Sequence, residues 1–188
     1  MTRSNAREVA VHMIYELGFG SRSAEELLEH EMTRERFAQL GEEEPLYAQF
    51  PNEKQRQYIR DLVQGVYVHG PELDDYISRY SVGWSFARIP RMAAAVMRTA
   101  MYEVLYMPAI PNSAAINEAV EIAKNYEPAE VVSFITASWA PLSGQSLPIP
   151  PPSRKRRRRK RRGRRSRRND HAGSGTGYQQ LYHLRSRL

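Results

Sequence analysis

Residues 97–124 read MRTAMYEVLYMPAIPNSAAINEAVEIAK, and this stretch decides the class of fold. Met97, Ala100, Met101, Val104 and Leu105 recur at three- and four-residue spacing, which places them on one helix face. Pro108 and Pro111 stop that helix, because proline lacks the N–H and pushes its predecessor out of α geometry. Asn112 or Ser113 can cap the next helix, where Ile116, Ala119, Val120 and Ala123 make a second stripe. Two amphipathic helices about a proline elbow form the unit of a helical bundle.

Working outward, the same grammar recurs. Ser4 or Asn5 is expected to cap a first helix carrying Ala6, Val9, Ala10, Met13, Ile14 and Leu17, ended by Gly18 and Gly20. Ser23 precedes Glu26 by three residues, a capping-box pattern that opens a second helix with Leu27 and Leu28 inside. From about Gln39 to Asn52 the chain is acidic and contains Gly41, Pro45 and Pro51, so a long surface connection with one helical turn is expected. The pattern predicts a helix over 53–68, a break at Gly70-Pro71 and another helix over 72–80. Trp84 to Ile89 is an irregular approach, Pro90 starts the central helix, and Glu127-Pro128 starts the last one. No segment alternates like a strand, so the expected class is all-α.

The net charge of +7 conceals two unlike halves. Thirteen of the 28 Lys and Arg residues lie between Arg154 and Arg168, and Arg185 and Arg187 follow, against one acid, Asp170. The remaining 13 bases face 20 acids before Ser153, which leaves a body of −7. Absence of cysteine excludes disulfides and thiol catalysis. No apolar run approaches the roughly 18 residues a membrane helix needs, and the N-terminus lacks a secretory apolar core, so a cytoplasmic protein without membrane contact is expected. His30-Glu31 is followed by Arg34 where a zinc-protease helix needs a second histidine, and the other histidines lack ligand spacing. Gly173 to Gly177 lacks the lysine of a phosphate loop. No catalytic residue, metal site or cofactor is expected, and therefore no enzyme.

The literal strings add more than periodicity. Arg98, Tyr102-Glu103, the two prolines, Ala115-Ile116-Asn117-Glu118-Ala119 and Ala123-Lys124 closely resemble the NusB family of transcription antitermination factors. Arg3 and Ala6-Arg7-Glu8 resemble its first helix, Gln57 to Leu62 its middle helices, and Val131 to Ile135 the start of its last helix. The resemblance covers roughly residues 3 to 135. It implies an all-α fold of two packed small helical bundles over 1–140. By composition, the Pro-rich and then Arg/Lys-rich tail over 141–188 is too poor in apolar residues to order, and is expected to be disordered. The resemblance also implies binding to boxA of nascent ribosomal RNA transcripts with a small-subunit ribosomal protein, NusE, to help RNA polymerase pass terminators.

Site residues follow from the same resemblance. Arg3 and Arg7 are four apart on the first helix; by spacing alone they are two solvated arginines, whereas the resemblance implies RNA contact, for which the planar donor fork is suited. Phe134 by itself is a buried phenylalanine, and by resemblance the aromatic of an RNA-contacting last-helix motif. Ser133 stands where lysine is usual, and Thr136-Ala137 where Asn-Gly is usual. Tyr15, Tyr102, Glu103, Asn117 and Glu118 are expected to hold the bundle, and Arg98 to bridge helices through a carboxylate.

From Thr136 the chain leaves the family pattern. Loss of one adenine from codons for Phe-Ile-Asn-Gly-Ile-Leu-Gly-Thr would give Phe-Ile-Thr-Ala-Ser-Trp-Ala-Pro, the sequence of residues 134–141, so a frame-shifted tail is one expectation. Two other readings of the chain stand beside antitermination. A cationic tail binds polyanions without regard to sequence, and it resembles a nuclear-localisation run. The family domain also occurs ahead of ribosomal RNA methyltransferases.

Overall fold

The computed structural model describes residues 1–20, 22–81 and 84–139, and the tail expected over 141–188 lies outside them. Among the described residues the structure is helical, without strands. Helix α1 (Arg3–Leu17) is capped by Thr2, whose hydroxyl accepts the Asn5 N–H at 3.0 Å, earlier than the expected Ser4 or Asn5. Gly20 adopts φ +69°, a left-handed turn open to glycine, just beyond its end. The capping box of α2 (Ala24–Glu31) is present, with Ser23 and Glu26 bonding reciprocally.

The connection expected over 39–52 starts later, after a further helix, and holds one helical turn, but it is not confined to the surface. Thr33 caps a separate helix, α3 (Arg34–Gly41), by accepting the Arg36 N–H, and a 3-10 turn (Pro45–Tyr47) follows. Phe37, Leu40, Leu46 and Tyr47 are buried, so the acidic segment contributes to the core.

The second departure is larger. Helix α4 (Glu53–Tyr80) runs unbroken through Gly70-Pro71. Proline removes one N–H, and both halves are fastened to the same neighbour, α5 (Arg91–Tyr106), the first through Tyr58 and Glu103 and the second through Glu72 and Asp74. Arg98 grips Asp74 through two bonds of 2.7 and 2.9 Å, and the Tyr106 hydroxyl donates to Glu72 at 2.9 Å. Tyr67, whose carbonyl loses its proline-side donor, is 53% exposed, so water can replace the bond.

Helices α6 (Asn112–Lys124) and α7 (Ala129–Trp139) complete the chain. Helices α1 and α4 belong to both halves of the fold: α2, α3 and the 3-10 turn pack on one side, and α5, α6 and α7 on the other. One continuous apolar core joins them. Pro90 cannot cap α5 with a side chain; the Glu127 carboxylate, from the α6–α7 turn, accepts the Ala93 N–H at 2.9 Å instead. No helix among the described residues is long and apolar enough to cross a membrane.

Where α1, α2 and α3 meet, Glu16 and Glu31 approach each other, with Arg22 and Arg36 between them. Burial pushes the Glu16 carboxyl up from its ordinary value, and the charge of Glu31 adds to this. A carboxyl raised by folding binds its proton better in the folded state, so ionisation costs stability as pH rises from about 4.5 through the raised value. Glu16→Gln is therefore expected to melt above the parent at pH 7 and level with it at pH 4. Melting curves across that range check it; a variant less stable at pH 7 would contradict the sign.

Candidate functional site

The N-terminal ends of α1 and α4 meet over one buried charge cluster. Arg7, on the inward side of α1, is only 3% exposed. Its Nε donates to both Glu103 oxygens (3.1 and 2.9 Å), its Nη2 to Glu103 Oε1 (2.9 Å) and its Nη1 to Glu118 Oε2 (2.9 Å). The Tyr58 hydroxyl donates to the same Glu103, which is fully buried. Burial works against the Arg7 charge, but the hydrogen bond and charge of Glu103 outweigh it, and the guanidinium is held in its charged form. Burial, then the charge of Glu103, pushes the Tyr58 phenol up, so it stays a donor. The cluster ties α1, α4, α5 and α6 together at one point.

Arg3, one turn earlier, is exposed and sits over the Tyr58 ring at 5.4 Å, while Arg7 reaches the same ring at 5.9 Å. Tyr58 is thus a floor between an inner arginine and an outer one. A shallow groove opens beside it, with Arg3, Lys54 and Gln57 on one side and Met107 to Ile110 on the other. The pair expected to act together is therefore split: Arg3 faces solvent, and Arg7 is withdrawn from it.

Phe134 lies elsewhere. It is 8% exposed and stacks on the partly exposed Trp84, with centroids 4.6 Å apart and planes 21° from parallel. Tyr80, at the C-terminal end of α4, lines the same pocket. Tyr58 and Tyr80 are 22 residues apart on one helix, or about 33 Å at 1.5 Å per residue. The structure does not bring Phe134 to Arg3; they occupy opposite ends of α4.

The expected scaffold residues Glu103 and Glu118 hold Arg7, and Arg98 bridges α4 and α5. Sequence reasoning missed His12, tested there only as a metal ligand. It is buried between the hydroxyls of Tyr47 and Tyr126, each 2.7 Å from a ring nitrogen, and Tyr126 donates on to Glu8. A histidine on an apolar helix face was the available signal. Among the described residues, no cluster of three or more His, Asp or Glu is placed to hold a metal ion.

Comparison with known proteins bears on what this arrangement serves. A sequence model described as the NusB family matches residues 4–137. The chain is 38% identical over 135 residues to a transcription antitermination protein NusB of Acetivibrio thermocellus, covering 72% of this chain and 83% of that one. A protein of the same description from Ruminiclostridium cellulolyticum is 32% identical over 148 residues, covering 79% and 92%. The solved structure of T. maritima NusB superposes with a TM-score of 0.63 at 25% identity, covering 79% of this chain and 94% of that one.

Proposed function

This chain belongs to the NusB family of transcription antitermination proteins, and from that premise we propose that it binds boxA of nascent ribosomal RNA transcripts together with the small-subunit ribosomal protein NusE, in the RNA polymerase antitermination complex. Its role is assembly, with no chemical step. The observation that carries this reading is the exposed Arg3 guanidinium, set on the Tyr58 ring above the buried Arg7–Glu103–Glu118 cluster. An arginine so anchored meets a phosphate with less conformational freedom to lose than a free one.

Arg7 serves the RNA indirectly, as the residue that positions Tyr58 and hence Arg3. At the far end, Phe134 supports Trp84, the more open ring of the stacked pair, on which an unpaired base can lie. The acidic body of −7 suits a basic ribosomal partner, whose recognition it also steers. An RNA held by the body is read by sequence, whereas one held by residues 154–168 is not.

Arg3→Ala in the full chain tests this. With excess unrelated RNA present to occupy the tail, affinity for boxA RNA in the presence of NusE is expected to fall about tenfold, the loss of one charged contact. Discrimination against a shuffled RNA is expected to fall with it. Unchanged affinity, or no preference for boxA in the parent chain, overturns the reading.

A further inference from the structure

Phe50, just before α4, carries arginines from two different helices. Arg34, the first residue of α3, lies over the ring at 4.8 Å, and Arg56, in the first turn of α4, at 5.4 Å. Phe37 meets the edge of the same ring at 5.1 Å and fixes its orientation from the core. The two guanidinium carbons are thus no more than about 10 Å apart, held by one aromatic. Arg34 is exposed and has no carboxylate partner among the described residues. Arg56 pairs with Glu53, whose side chain is 71% exposed, a surface pair of little strength. Glu42 lines the groove beside Phe50, and Asp61 lines the one that holds Arg3.

This platform continues the Arg3 site. Glu53, the partner of Arg56, also lines the groove that holds Arg3, Lys54 and Tyr58. Along one end of the molecule the order is therefore Arg3 on Tyr58, Lys54, then Arg56 and Arg34 on Phe50. The N-termini of α1, α3 and α4 contribute these residues. Four of the body's 13 basic residues gather here, although the body is acidic overall.

We infer that Arg34 and Arg56, organised by Phe50, are a second phosphate-binding station that takes the strand of single-stranded RNA continuing from Arg3. This rests on the RNA reading proposed above. Arg34 keeps its outer face and edge donors for a phosphate or a base plane, and Arg56 keeps those that Glu53 does not take, while Phe50 holds the inner face.

The test uses the full chain. Phenylglyoxal modification of arginines, read by peptide mass with and without a boxA-containing RNA, is expected to show protection of Arg3, Arg34 and Arg56, with exposed Arg79 unprotected. Arg34→Gln and Arg56→Gln are each expected to lower the slope of log affinity against log salt by about 0.7, and Arg79→Gln to leave it unchanged. Thermal melts of the variants confirm that they fold. Protection of Arg3 with Arg34 and Arg56 still reactive, or unaltered slopes, overturns the second station and leaves the RNA reading standing. Protection confined to the tail arginines overturns both.

Discussion

Arg7→Ala is expected to cost about 3–5 kcal/mol of stability, because it leaves the fully buried Glu103 carboxylate without its cation. Domains of this size are stable by only about 5–15 kcal/mol, so the variant should unfold at a far lower urea midpoint. Arg7→Lys restores the charge but not the fork that reaches both Glu103 oxygens and Glu118, and is expected to recover only part of the loss. Arg3→Ala, made one turn away at an exposed position, should change stability by no more than about 0.5 kcal/mol. Urea titrations of the three variants check the contrast. Equal costs at Arg3 and Arg7 would show that the buried cluster is not what holds α1.

Trp139→Ala is expected to be comparably severe, about 3–5 kcal/mol, from the cavity left by a side chain that is 1% exposed. Trp139→Phe should cost much less. The indole Nε1 is buried without a hydrogen-bond partner among the described residues, and phenylalanine removes that donor while keeping most of the volume. Calorimetric melts of both variants distinguish the two contributions; a phenylalanine variant as unstable as the alanine one would mean that the N–H is satisfied after all.

Trp139 lies just past the residues that resemble the family. The family match ends at residue 137, and the pattern departs from the family at Thr136, yet α7 continues to Trp139 and buries it. An apolar residue in helical register is accommodated whatever its origin. The stripes of α1, α5 and α6 were legible because a 3.6-residue period survives translation into packing. Pro71 was misread because the proline rule is local, whereas the bonds from Arg98 and Tyr106 that keep α4 whole come from more than 20 residues away. The cap at Thr33 was hidden among charged residues, so α3 was not separated from α2, and its last turn fell inside the expected connection. Nothing in the sequence separates Arg3 from Arg7. Only the placement of Glu103, 96 residues later, makes one a surface group and the other an internal tie.

The polar ties of Arg7, Glu8 and His12 include partners far along the chain. Arg7 waits for Glu103 and Glu118, and Glu8 and His12 wait for Tyr126, separations of 96 to 118 residues. At about 5–20 residues per second, a ribosome needs roughly 5–24 seconds after making α1 to supply those partners. Helices α2 and α4 can cover the apolar stripe of α1 earlier, but for that interval Arg7 has no carboxylate to meet, and a chaperone or a nascent neighbour can take it first.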